Sequence, residues 1–83
     1  MFREAVKKFN RHGFMQPRTL VVTTMNIYIF KGDDLSVRQQ ITDLRAIIKS
    51  TKTSEIVFVF PKSRDLRLQG MSAEQIKQAV SMI

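Results

Sequence analysis

The chain has no cysteine, a single histidine, and only three glycines and two prolines in 83 residues. Without cysteine there is no disulfide staple and no thiol nucleophile, so the core must come from aliphatic and aromatic side chains alone. One histidine, no serine in a nucleophile motif and no glycine-rich phosphate loop leave no constellation for catalysis. No apolar run approaches the roughly 20 residues that span a bilayer. Internal repeats, low-complexity tracts and linkers are also missing, so residues 1–83 read as one small domain, or a module of a longer chain. A domain of this size buries only about 60% of its unfolded surface, which makes each buried aliphatic count. The N-terminal residues Arg3, Glu4, Lys7 and Lys8 do not read as a secretory signal. With no cysteine, the expected setting is a reducing, cytoplasmic one.

Charge is what the chain has in excess. Fourteen Lys and Arg against seven Asp and Glu give a net charge of +7. That balance favours anionic partners: acidic lipid headgroups, nucleic acid or acidic proteins. The excess is spread along the chain, so charge alone does not choose among them. Its densest stretch is Lys7-Lys8-Phe9-Asn10-Arg11-His12-Gly13-Phe14-Met15-Gln16-Pro17-Arg18, read as a basic loop leading into a β-branched strand over residues 19–24.

Phe2, Ala5, Val6 and Phe9 fall at i, i+3, i+4 and i+7, the face of a short helix, although the segment can also enter a strand at Val6. After the strand at 19–24, Met25-Asn26 makes a tight connection to a second strand at 27–31, and Gly32-Asp33-Asp34 turns the chain again. Val37, Gln39 and Ile41 suggest a third strand, and residues 44–49 a further strand, or a short helix, after the break at Thr42-Asp43. Residues 56–60 form the most apolar strand, expected to be central, and residues 65–69 alternate with one wet face. Ser72-Ala73-Glu74-Gln75 is a capping box, and Ile76, Ala79, Val80 and Ile83 line one face of the helix it starts.

The order is thus a short N-terminal element, about six strands and one amphipathic helix beginning at Ser72 or Ala73. The expected fold class is mainly β: a strongly bent antiparallel barrel of six or seven strands, one open end plugged by the C-terminal helix.

This layout resembles the pleckstrin-homology superfold, and the sequence looks closest to the tail homology domain of class I myosins. The resembling residues are Lys8-Phe9-Asn10-Arg11-His12-Gly13-Phe14, then Pro17-Arg18-Thr19-Leu20-Val21-Val22-Thr23, then Ile27-Tyr28. In that family a Lys-aromatic-Asp/Asn-Arg-x-Gly-aromatic segment precedes a basic loop, an Arg-x-Leu-Leu-Leu-Thr strand and an aliphatic-Tyr pair. The likeness covers roughly residues 6–30; over residues 36–83 only the hydrophobic pattern and the final helix carry it. It implies a noncatalytic module that binds anionic phospholipids, often phosphoinositides, at the membrane periphery. Met15-Gln16-Pro17 stands where related loops carry more Lys or Arg, which lowers the expected headgroup affinity.

The candidate headgroup ligands are therefore Lys7, Lys8, Arg11, His12, Arg18 and Lys31. Arg offers a planar fork for phosphate, Lys a mobile point charge, and His12 a charge that appears on protonation. Phe14 and Met15, at the loop tip, are the candidates for insertion into a bilayer interface. Arg45, Lys49, Lys62, Arg64 and Arg67 read as ordinary solubilising charge. Asp33-Asp34 lacks the ligand count of a calcium loop, so no metal or other cofactor is expected. Tyr28, Phe30, Phe58 and Phe60 read as core or half-buried positions, with Tyr28 the one strand ring expected to stay partly exposed. Two alternatives stand beside lipid binding: a protein-interaction module of the same fold, and a small RNA-binding domain.

Overall fold

The structure, a computed structural model, describes residues 1–50 and 52–83. Among them, seven antiparallel strands form one sheet, followed by a single C-terminal helix. The strands are β1 (Phe2–Phe9), β2 (Met15–Val22), β3 (Asn26–Lys31), β4 (Asp34–Gln40), β5 (Ala46–Ser50), β6 (Glu55–Val59) and β7 (Leu66–Gln69). The helix, α1, spans Ala73–Ser81. Their order across the sheet is β4-β3-β2-β1-β7-β6-β5. Seven flat strands spaced about 4.8 Å apart would make a slab about 29 Å wide and one layer thick. The molecule instead measures 26 × 25 × 25 Å, so the sheet rolls over on itself. The expected mainly β architecture, with six or seven strands and one helix, is the one observed.

The N-terminal segment is not helical. Phe2 and Val6 are buried on the inner face of β1, whereas Ala5 is exposed on the outer one. Phe2 and Val6 are four residues apart, a spacing that satisfies both a helical period and a strand period. Ladders on both sides decide between the two: β1 pairs with β2 from Phe2↔Val22 to Phe9↔Met15 and with β7 at Lys7↔Gln69 and Lys8↔Leu68. A lone helix of eight residues has no comparable source of stability in water. β1, not the apolar β6, is therefore the middle strand of the sheet.

The second difference is where β2 begins. It starts at Met15, not at Thr19, so Pro17 lies within a strand, opposite Lys7. This is tolerated because pairing between β2 and β3 begins only at Thr19↔Phe30, which leaves Pro17 on a locally open edge. The expected twelve-residue basic loop thus shrinks to residues 10–14, and Lys7, Lys8 and Arg18 become strand residues.

The core lies inside the roll. Leu20, Val22, Ile27, Ile29, Ile56, Phe58, Phe60, Leu68 and Met71 are fully or nearly fully buried there, together with Ile76 and Ala79 of α1. The capping box forms as expected: Ser72 Oγ accepts from the Gln75 N–H, and Gln75 Oε1 accepts from the Ser72 N–H. Val80 is only half-buried, and Ile83 is exposed. Tyr28 and Phe30 both sit half-buried on the outer face of β3, their ring centroids 6.2 Å apart, so Tyr28 is not the one strand ring left partly open.

Candidate functional site

The site begins with the loop between β1 and β2, whose shape Asn10 sets. Asn10 Oδ1 accepts from the backbone N–H groups of His12 (2.9 Å) and Phe14 (3.0 Å). The Asn10 N–H donates to the Phe14 carbonyl at 2.9 Å, and the Gly13 N–H to the Asn10 carbonyl at 3.0 Å. Gly13 has φ +83°, a conformation that only glycine adopts without strain. The Asn and Gly of the segment therefore have a local structural task, which is to fold a five-residue turn through backbone bonds. The turn leaves Phe14 68% exposed and the adjoining Met15 51% exposed, so neither packs back onto the barrel.

Strand alternation then sorts the cations. Positions 2, 4, 6 and 8 of β1 face inward, and Lys8 is half-buried where Phe2 and Val6 are buried. Lys7, one residue earlier, faces outward and is exposed. Arg18 pairs with Val6 in register, and Gln16 with Lys8, so both share the inner face with Lys8. Arg18 is held locally: Nη1 donates to the Pro17 carbonyl at 2.7 Å and Nη2 to Gln16 Oε1 at 3.2 Å. The Lys8 ammonium is held below the ordinary lysine pKa, first by burial, then by the charges of Arg18 and Arg64.

Lys8 opens into a cleft of about 950 Å3 between the end of β1, strand β4 and the β6–β7 loop. Arg11, Arg38, Arg64 and Arg67 line the same cleft, with Asp65 the one carboxylate among them. Asp65 Oδ1 is engaged by the Phe60 N–H at 3.3 Å, holding the β6–β7 loop. That loop is tied across to β4 by a 2.7 Å bond from Gln39 Nε2 to Ser63 Oγ. Arg67 is already occupied: its Nη2 lies 2.9 Å from Glu55 Oε1, and its guanidinium sits 3.9 Å from the centre of the Phe9 ring. That is the one ion pair among the described residues, so Lys8, Arg11 and Arg64 face the cleft without a carboxylate partner. Three unpaired cations around an open, polar cleft suit a ligand with several phosphate charges.

The sequence-derived candidates are thus divided. Lys8 and Arg11 line the cleft, and Arg18 lies beside Lys8 on the inner face. His12 is exposed on the loop, where its Nε2 accepts from Arg11 Nε at 3.3 Å. Lys7 is on the outer face, and Lys31 is exposed at the end of β3 opposite Asp34; neither lines the cleft. Arg64 does line it, facing the β4 segment around Val37 and Gln39, although nothing in the local sequence groups it with Lys8. Arg64 had a weak signal, its place beside Lys62 in a Pro-led loop; what was missing was the topology that folds that loop against β1.

No helix among the described residues is long and apolar enough to cross a membrane. Compared with known proteins, the chain matches no family model and no curated sequence.

Proposed function

We propose that this domain is a noncatalytic binding module for anionic phospholipids, with phosphoinositide headgroups as the preferred ligands. The observation that carries the reading is the convergence of Lys8, Arg11 and Arg64 on one cleft whose single carboxylate is already engaged. Arg64 and Arg11 supply guanidinium forks for phosphate oxygens, and Lys8 supplies a point charge from within the roll. An anion that settles among Lys8, Arg18 and Arg64 also relieves the mutual repulsion of those charges, so the cleft gains more from the ligand than isolated surface cations do. Phe14 on the turn and Met15 at the start of β2 are exposed close in sequence to Arg11, where they enter the interfacial layer while the headgroup occupies the cleft. The likeness of residues 6–30 to the myosin tail homology domain supports the same reading.

A second reading, a protein-interaction module, rests on a separate feature. β5 is an edge strand, paired only with β6, and carries Ile48 at 59% exposure. An open edge of this kind accepts an added strand from a partner.

Co-sedimentation with liposomes separates these readings. Vesicles containing phosphoinositide are expected to retain the protein, and neutral vesicles are not. Lys8→Ala combined with Arg64→Ala is expected to abolish retention. Retention that survives this pair, or that is equal on neutral vesicles, overturns the lipid reading.

A further inference from the structure

The outer face of β1–β4 carries a second arrangement of rings and cations. The strand registers align two rows across the four strands. One row is Arg3, Val21, Tyr28 and Arg38; the next is Ala5, Thr19, Phe30 and Leu35. The helix does not cover this face, because Ile76 and Ala79 of α1 pack into the core on the other side of the sheet. Tyr28 and Phe30 each leave part of the ring open, with centroids 6.2 Å apart and planes inclined by 33°. Arg3 and Arg38 are exposed at the two ends of the first row, three strand spacings or about 14 Å apart. No carboxylate belongs to either row.

We propose that this face is a second binding surface, for a single strand of nucleic acid, with bases stacked on Tyr28 and Phe30 and phosphates met by Arg3 and Arg38. Two neighbouring rings on an antiparallel sheet form a stacking platform that accepts any base, since every base has a π-face. Arg3 and Arg38 lie on either side of the line the two rings make along β3, so a strand stacked on the rings carries its phosphates past a cation. A lipid surface calls for cations around a cavity or beside an inserting apolar tip, which is the chemistry of the cleft; an acidic peptide gives the two rings nothing to stack on. The proposal does not depend on the lipid reading, because the cleft opens on the inner side of β1. Arg38, on the edge strand, borders both and is left out of the test.

Fluorescence anisotropy of labelled 12-mers, oligouridylate and oligodeoxythymidylate, measures binding over a salt series. Binding of at least one oligomer is expected, and the pair shows whether ribose is preferred. Tyr28→Leu keeps an apolar side chain but removes the ring, and is expected to weaken binding about 5- to 150-fold, as loss of one stacked base does. Phe30→Leu is the independent second variant, with the same expectation; circular dichroism confirms that each is folded. Arg3→Gln should flatten the slope of log K against log[salt] by about 0.7, the release of one counterion from a single strand. Lys8→Ala with Arg64→Ala should leave oligomer binding unchanged. The proposal is overturned if neither oligomer binds at 0.05 M salt, if both folded ring variants bind within twofold of the parent, or if the cleft pair weakens binding as much as the ring variants do.

Discussion

Gln75 Nε2 donates to Glu4 Oε2 at 2.9 Å, joining the first turn of α1 to β1 across 71 residues of chain. The same Gln75 side chain closes the capping box through its Oε1. One amide therefore both starts the helix and fastens it over the inner face of the middle strand. Loss of this side chain is expected to cost more than an ordinary capping substitution. Ser72→Ala should destabilise by about 1 kcal/mol in denaturant melts, as cap deletions do. Gln75→Ala should cost more than that, and the Glu4→Ala and Gln75→Ala double mutant should be less destabilised than the sum of the singles. Additive losses would show that the contact contributes nothing.

The helix also carries two aliphatics whose burial differs. Ile76 is buried in the core, whereas Val80 is half-buried. Ile76→Ala is expected to cost about 2–4 kcal/mol, the range of core truncations that leave a cavity, and Val80→Ala clearly less. Equal costs would mean that the helix seats on a different face.

Lys8 gives the fold a pH dependence whose sign follows from its environment. Its pKa is lowered in the folded state, chiefly by burial and then by Arg18 and Arg64. The unfolded chain therefore binds more protons in the window between the lowered value and the ordinary lysine value, and stability contributed by this group rises as pH climbs through that window. At neutral pH the charged ammonium is a burden on the fold. Lys8→Met is expected to raise the melting temperature at pH 7, with a gain that shrinks as salt screens the guanidiniums. A polyanionic headgroup should raise the melting temperature of the parent protein and not of the variant. A destabilised Lys8→Met protein would show that the ammonium is held by contacts that offset its repulsion.

Much of the fold could be read along the chain, because strand alternation and the capping box are local signals. Leu66, Arg67 and Leu68 alternate as expected, and Ser72 and Gln75 form the box that their spacing predicts. The first strand misled because Phe2 and Val6 fit two periods at once, and only pairing with β2 and β7 chooses between them. Part of the candidate site was legible for a similar reason: Lys8 and Arg11 belong to a compact segment whose Asn10 and Gly13 fold it locally. Arg64 lies 56 positions from Lys8, as their numbers give. Charges so distant converge through the roll of the sheet, which no local pattern encodes. Arg67 shows the converse, since its cation looks as free as the others in sequence yet is held by Glu55 and Phe9.

Membrane retention should follow position, not charge count. Lys8→Ala with Arg64→Ala removes two cleft cations; Lys7→Ala with Lys49→Ala removes two exposed ones away from it. Both pairs lower the net charge from +7 to +5, two cations fewer, so diffuse attraction to an anionic vesicle weakens equally. The cleft pair is expected to abolish phosphoinositide retention, while the control pair reduces it only slightly. Equal reductions would assign binding to overall charge. Lys8→Ala with Arg18→Ala should also release the protein, because Arg18 lies beside Lys8 on the inner face.

The apolar tip supplies the last test. Phe14 is 68% exposed on a turn whose backbone bonds do not use its side chain, so removing the ring should leave the fold intact. A large exposed aromatic beside Arg11 is what an interfacial anchor requires, with the ring at headgroup depth and the cation at the phosphates. Phe14→Ser is expected to leave the melting temperature within about 4 °C, since exposed substitutions change stability by less than about 0.5 kcal/mol. On phosphoinositide vesicles it should shorten the residence of the protein, and the difference should persist at high salt, because transfer of a ring into the interface is not an electrostatic term. Binding of a soluble inositol polyphosphate, which has no interface to enter, should be the same for Phe14→Ser and its parent. Loss of soluble headgroup binding in this variant would mean that Phe14 shapes the cleft instead of entering the membrane. Unchanged vesicle residence would mean that the domain docks through its cations alone.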